Sequence, residues 1–447
     1  MDPRVKREGD RRRGGGRHLW GTCAALSLLK QPCRCCCRGG LAAGGNILPD
    51  PSAGESAVST WLPREIEAKR PALQQVLRPI AEAAGLPNET YTSQAFAAVE
   101  RDEVLAKTWT CIGVGHWVAQ PGDLRPVQLQ GLPLLLLRDR EGALRVFHNV
   151  CSHRGLKLVT APCRAKGLIR CPYHSWSYGL DGALKATPFI GGPGTKSCED
   201  FDKAKHGLKP VRSAVWCDAV FVDFSGEAPA FEDFIAPIAA RWGDFDPARL
   251  RHGGADSSFT IEIGCNWKLA VENYCEAYHL PWIHPALNQY SRLEDHYNIA
   301  LDGHMAGQGS TAYRPSLSGD GRQFPAHPGL PRKWDGAAEY LALFPNVLFG
   351  VHADHFYTVV LEPLGPARTR EHFEIYYFDE AALGDAFADL RATNTRQWQT
   401  VFEEDRGVVE GMQAGRASPA FTGGVFSPAM DGPTHCFNQW MARALLG

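Results

Sequence analysis

No stretch of this sequence is long and apolar enough to cross a bilayer. The longest aliphatic run, Leu132 to Leu137, is interrupted by Pro133 and falls far short of the ~18 apolar residues a membrane helix needs. No charge of one sign prevails: 47 Lys and Arg stand against 49 Asp and Glu in 447 residues, so nothing global favours nucleic acid as a partner. There is no internal repeat of solenoid period. No Gly-x-Gly-x-x-Gly follows a strand pattern, so no flavin or nicotinamide site is expected. Nor do the cysteines outline a disulfide framework, since Cys111, Cys151, Cys163, Cys171, Cys198, Cys217, Cys265, Cys275 and Cys436 are scattered as reduced intracellular thiols are. What is present is a globular composition, 44% hydrophobic and 21% charged, with length for two or three domains.

The amino-terminal end differs from the rest. Residues 1–45 hold ten Lys and Arg against three acidic residues, and five of the 14 cysteines, among many glycines. This reads as a disordered extension or a targeting segment. The protein is accordingly expected in the cytoplasm, or in an organelle if the segment is a transit peptide. Residues 46–60, rich in Gly, Pro and Ser, read as a linker.

Helical periodicity marks Trp61 to Ala84 and Ser93 to Trp109. From Thr110 to Phe224 the pattern changes to short β-branched or aromatic runs broken by Gly, Pro and Asp, the mark of a compact all-β module. Further on, the spacing predicts helices over Phe231 to Trp242 and Asn266 to His279 and a strand over Phe259 to Gly264. Strands follow over Asn346 to His352, Tyr357 to Pro363 and Arg370 to Phe378. A closing helix is expected from Glu380 to Gln413, its acidic start suiting the helix dipole.

Inside the β module stands Cys151-Ser152-His153-Arg154-Gly155, and seventeen residues separate His153 from Cys171-Pro172-Tyr173-His174. Two thiolates and two imidazoles could close around zinc. Each pair, however, holds one Cys followed by one His, Pro172 follows the second Cys, and Tyr173, Trp176 and Tyr178 crowd the second loop. That pattern favours a two-iron, two-sulfur centre with Cys151 and Cys171 on one iron and His153 and His174 on the other. Cys163 lies between the pairs, belongs to neither, and is expected to be a packed thiol.

A second constellation runs from Cys265 through Asn266-Trp267-Lys268 and Glu272-Asn273-Tyr274 to Glu276-Ala277-Tyr278-His279 and His284. Pro281 must end the helix here, so the last turn and the following loop can bring both imidazoles together. Two imidazoles and one carboxylate on one face of ferrous iron leave the other face open. Glu276, three residues before His279, falls on the same helical face and can accept a hydrogen bond from it.

The Cys-Ser-His-Arg-Gly and Cys-Pro-Tyr-His-Ser-Trp motifs resemble those of the Rieske family, with Ser175 where a Gly is usual. Together with the second constellation, the chain resembles the catalytic subunit of Rieske non-haem iron oxygenases, in outline over residues 90–440. The resemblance implies an α+β fold: an all-β Rieske domain at 110–224, and a catalytic domain at 225–447 with an antiparallel sheet wrapped by helices in a helix-grip arrangement. Residues 61–109 would be the helical amino-terminal part of the catalytic domain. It implies two cofactors, one Rieske 2Fe-2S cluster and one mononuclear iron held by His279, His284 and a carboxylate from the last helix, for which Asp405 matches the family context while Glu404 and Glu403 stay open. Glu276 and Asn273 would be catalytic positions, Glu276 bridging to a cluster His of the neighbouring subunit in a homotrimer. A separate NAD(P)H-dependent reductase, with or without a ferredoxin, would supply electrons for attack by O2 on a small molecule.

For that small molecule, Glu276 together with Trp282, Tyr290, Trp334, Tyr340, Phe349, Phe356 and Tyr357 suits a quaternary ammonium group against aromatic faces. The chain is similar in this respect to choline and carnitine monooxygenases. An aromatic ring substrate would use the same residues for stacking. A reading of another class, a non-catalytic Rieske electron carrier, would leave the second iron constellation and the long carboxyl-terminal domain without a purpose.

Overall fold

The computed structural model describes residues 63–447; the expectations for residues 1–60 lie outside the described residues. The continuous run at Leu134 to Leu137 is apolar because its strand is covered on both sides. Successive side chains of a strand point to opposite faces. Leu135 and Leu137 join Leu124, Phe147, Trp176 and Tyr178, while Leu134 and Leu136 join Ile112, Val146, Val220 and Val222. Around these cores lie three antiparallel sheets. The first runs Leu144–His148, Leu132–Arg138, Asp123–Leu129, Cys163–Arg164; the second Leu168–Arg170, Ser177–Gly179, Leu184–Ala186; the third Thr110–Val114, Ala219–Asp223, Arg212–Trp216. The strands Cys163–Arg164, Leu184–Ala186 and Arg212–Trp216 had no clear sequence signal, the first two being too short for any alternation to show. Cys163, expected to be packed, is exposed.

The remaining strands form one eight-stranded antiparallel sheet. Its order is Arg251–His252, Arg368–Tyr377, His355–Gly365, Val347–His352, Ala338–Leu343, Met305–Ser310 and His296–Leu301, with Ser258–Ile263 pairing the same edge of Arg368–Tyr377 as Arg251–His252 does. Period-two alternation divides its side chains between two layers. Tyr340, Ala342, Leu348, Tyr357 and Val359 face a core shared with helices, including Trp267, Trp398, Phe402 and Phe437. Leu341, Val347, Phe349, Val351 and Phe356 face the opposite core with Trp109, Phe231 and Trp242.

Several helices differ from the expected spans. The first stops at Val76, and Pro79 soon after lacks the N–H that a continuing helix needs. The second divides into Gln94–Glu100, capped by Ser93, and a π-type turn Arg101–Leu105. The helix expected from Glu380 begins as two 3-10 turns and is α-helical over Ala388–Gly415. It does not close the chain: Gly432–Leu446 follows, burying Phe437, Met441 and Leu445. Among the described residues no helix is long and apolar enough to cross a membrane, and no disulfide forms.

Candidate metal centres and substrate cavity

Asn266-Trp267-Lys268 is an anchor. The Asn266 side chain accepts from Lys268 N at 3.1 Å and caps the helix Trp267–Tyr274. Trp267 Nε1 and Lys268 Nζ both donate to Glu100, at 3.0 and 2.6 Å, in a site closed to solvent. One turn on, Glu272 accepts from the Tyr91 hydroxyl and from Asn438 Nδ2, tying this helix to the amino-terminal segment and the last helix. The helix is thereby fixed, and Asn273 near its end is fixed with it.

The expected helix to His279 is interrupted. It ends at Tyr274, and a second helix of one turn, Leu280–Ile283, has His279 at its N-cap and His284 at its C-cap. Pro281 opens this second helix instead of ending the first, in a position where its missing N–H costs nothing. Glu276 sits in the loop between them, not on a helical face. The two imidazoles nonetheless meet. Their Nε2 atoms are 3.2 Å apart, and Asp405 Oδ1 lies 3.6 Å from that of His279 and 3.1 Å from that of His284. Asn273 Nδ2 donates to the same Asp405 oxygen at 3.2 Å.

Both outward nitrogens are held by carboxylates. His279 Nδ1 is 2.5 Å from Glu276 Oε1 and His284 Nδ1 is 2.8 Å from Glu404 Oε2. Such bonds fix the tautomer and leave Nε2 free as a metal donor. Burial alone would pull the His284 imidazolium down, but the Asp405 and Glu404 carboxylates outweigh it and hold its pKa above the ordinary value. Glu403 pairs with Arg406 at 2.8 Å and faces away. Of the three acidic candidates, Asp405 alone belongs with the histidines in a group whose donor atoms all lie within 4.8 Å of one another. Two nitrogens and one oxygen converging from one side fit iron of the facial type.

The open side of this group is a cavity lined by Tyr274, Leu280, His296, Gln308, Tyr340, Tyr357, Trp398 and Phe402. Among the described residues no Lys or Arg lines it. Of the aromatics singled out in the sequence, Tyr340 and Tyr357 line it, whereas Phe349, Phe356 and Trp334 lie in the opposite core and Trp282 is 69% exposed. Tyr274, Trp398 and Phe402 were missed. A signal existed for two of them: Trp398 and Phe402 lie seven and three residues before Asp405 and so share its helix face.

In the β module the two motif loops bring Cys151, Cys171, His153 and His174 together. Both thiols are buried, and Cys151 Sγ lies 3.2 Å from the Tyr178 hydroxyl. The imidazoles are exposed, with ring centres 4.6 Å apart, and His153 stacks on Trp176 at 4.7 Å. Cys151 O accepts from Gly155 N and Cys171 O from Ser175 N, so the loops have matching turns. Gly155 has φ +70° and Ser175 φ +59°: the second turn requires the left-handed conformation that the usual Gly adopts freely. Two thiolates inside and two imidazoles at the surface fit the mixed shell of a Rieske cluster.

Comparison with known proteins agrees with this two-site organisation. Residues 108–197 match the Rieske 2Fe-2S domain, and residues 250–447 match the ring hydroxylating alpha subunit (catalytic domain). The chain belongs to the Rieske non-haem iron oxygenases, and its two domains are those that carry a 2Fe-2S cluster and a mononuclear iron. It is 28% identical over 343 residues to the carnitine monooxygenase oxygenase subunit of Acinetobacter pittii (strain PHEA-2), covering 75% of this chain and 86% of that one. The solved structure of a quaternary ammonium Rieske monooxygenase superimposes with a TM-score of 0.70 at 24% identity, over 83% of this chain and 98% of that one. Naphthalene 1,2-dioxygenase from Rhodococcus sp. superimposes with a TM-score of 0.68 at 18% identity, over 86% and 99%. With a catalytic oxygenase domain present, the electron-carrier reading is set aside.

Proposed function

We propose that this protein is the oxygenase subunit of a monooxygenase for a small quaternary ammonium compound such as carnitine, choline or glycine betaine. The observation that carries the reading is the cavity on the open side of His279, His284 and Asp405. Its aromatic faces, Tyr340, Tyr357 and Trp398, are accompanied by no Lys or Arg among the described residues. Such a lining attracts a permanent cation through the ring quadrupoles and offers no ion-pair partner to an aromatic acid. The carnitine monooxygenase relative supports the same class.

In this reading Cys151, His153, Cys171 and His174 hold the cluster, and His279, His284 and Asp405 hold the mononuclear iron. Iron held there would supply dioxygen chemistry, and the cluster would supply the electrons for it. Glu276 orients His279, Glu404 orients His284, and Asn273 holds the Asp405 carboxylate toward both histidines. The aromatic wall keeps the trimethylammonium head against the open side. Residues 61–109 and 225–447 form the catalytic domain around an inserted cluster domain at 110–224.

The partners are an NAD(P)H-dependent reductase, with or without a ferredoxin, and two further copies of the chain. Large apolar side chains stand exposed beside the elements that a subunit contact would join: Tyr173 next to His174, and Tyr278 and Trp282 around His279. A cytoplasmic location accords with cysteines scattered along the chain as reduced thiols are.

One panel tests the substrate class. With a suitable reductase, carnitine, choline or glycine betaine should stimulate NAD(P)H oxidation and yield an oxygenated product in step, and the protein should hold three irons and two acid-labile sulfides per chain. Coupled product from simple aromatic acids and none from any quaternary amine would overturn the substrate.

A further inference from the structure

His352 ends the strand Val347–His352 and is 1% exposed, yet neither of its ring nitrogens has a hydrogen-bond partner. The hydroxyl of Tyr340, on the next strand, is also buried and unpartnered. The two strands pair with Tyr340 opposite Gly350 and Ala338 opposite His352, so Tyr340 and His352 are diagonal neighbours on one face. Their ring centres are 5.5 Å apart. An unsatisfied buried polar group typically costs ~1–3 kcal/mol, and here three such atoms lie on two touching side chains.

The adjacent His355 shows how an imidazole is satisfied in the same place. Trp398 Nε1 can only donate, so its 3.2 Å contact makes His355 Nε2 an acceptor, and His355 Nδ1–H then donates to Asp354 Oδ1 at 2.7 Å. His355 stacks flat on His352 at 4.1 Å and leaves its edge nitrogens unbonded. Burial, followed by the neighbouring His355, holds the pKa of His352 well below the ordinary imidazole range. It is therefore neutral, with one donor and one acceptor.

The position of the pair gives these atoms a use. Tyr340 lines the cavity next to His279, His284 and Asp405. His352 lines a larger cavity of about 490 Å³ beyond it, with Tyr313, Arg314 and Asp354. The rings of Tyr313 and Trp398 lie 4.4 and 5.3 Å from His352. Two unsatisfied polar groups thus stand on neighbouring side chains, Tyr340 lining one cavity and His352 the other.

We propose that Tyr340 and His352 are specificity-determining residues that hydrogen-bond an oxygen substituent, carboxylate or hydroxyl, at the far end of a quaternary ammonium substrate whose cationic head lies against Tyr357 and Trp398. This rests on the quaternary ammonium reading above. The Tyr340 O–H and the His352 N–H supply two neutral donors, and a carboxylate held by them keeps its own ammonium as counter-charge. The second His352 nitrogen accepts from a hydroxyl.

The experiment compares holoenzyme of the wild type with Tyr340→Phe, His352→Leu and His352→Gln. Each is titrated by calorimetry with glycine betaine, carnitine and choline, and with the oxygen-free cation butyltrimethylammonium. Tyr340→Phe and His352→Leu should weaken the oxygen-bearing ligands roughly tenfold or more, the scale of one hydrogen bond to a charged group, and leave butyltrimethylammonium within about twofold. KM should rise more than kcat falls. His352→Gln restores a donor and an acceptor and should recover most of the affinity, with iron content and cluster absorption unchanged throughout. Equal weakening of all ligands, or of none, would show that the pair serves packing or a bound water only and would overturn the proposal. If the wild type binds no quaternary ammonium ligand, the substrate class falls and this proposal with it. If it binds them and the variants ignore the oxygen, this proposal alone falls.

Discussion

Glu404 and Asp405 are consecutive on one helix, yet they reach opposite nitrogens of the same imidazole: Glu404 Oε2 is 2.8 Å from His284 Nδ1 and Asp405 Oδ1 is 3.1 Å from His284 Nε2. Adjacent helical side chains diverge by about 100°, and His284 occupies the angle between them. The two acids should therefore fail differently. Asp405→Ala should lose the mononuclear iron and product formation while the cluster absorption stays. Glu404→Ala should keep a competent site with iron affinity lowered roughly 10–100-fold, as losing the support of a ligating His does. Iron content after dialysis against graded chelator distinguishes them; equal loss in both would make Glu404 a ligand.

The pair Lys268 and Glu100 has side chains wholly removed from solvent, at 2.6 Å. Breaking such a pair from one side leaves a bare buried charge, at a cost of ~3–5 kcal/mol. Lys268→Met should lower the thermal midpoint of the catalytic domain sharply, and adding Glu100→Leu should return part of it. A single variant as stable as the wild type would mean the buried charges are not coupled.

Ser175 has φ +59°, a conformation that costs a non-glycine residue roughly 1–2 kcal/mol. Ser175→Gly should raise the temperature at which cluster absorption is lost. A lower midpoint would show that the serine side chain contributes more than its backbone strain removes.

Glu371 lies beside Asp405. Burial first, then the Asp405 carboxylate, pushes its pKa up from 4.5 to about 8. The folded iron-free protein thus keeps a proton that the unfolded chain releases above about pH 4.5. The stability linked to this group is full below that pH and is lost as pH rises through about 8. Glu371→Gln, neutral at every pH, should flatten the fall in thermal midpoint of the iron-free protein between pH 5 and 9. Parallel curves for both proteins would refute the assignment.

The metal constellations were legible because their chemistry is local: Cys151 with His153, Cys171 with His174, and His279 with His284 are each within a few residues. Asp405 could be singled out only through the family resemblance, since no sequence period links it to His279. What stayed hidden depends on the sheet. The face of Tyr340 and His352 is fixed by strand register, and a shift of one residue would exchange Tyr340 for Leu341. The strands Ala338–Leu343 and Met305–Ser310 showed no alternation to read. The first is buried on both faces, and the second is half glycine and alanine.

Leu280–Ile283 is only four residues long, far below the length at which a helix persists by itself. Its amide bonds return to His279 and Leu280 carbonyls, and the residues capping its two ends are the histidines assigned to iron. If both caps hold the ion, folding of this segment and metal loading would be coupled, the ion closing the turn like a clasp. Chelation would then be felt first as local melting at the cavity floor, long before the sheet beneath it loosens.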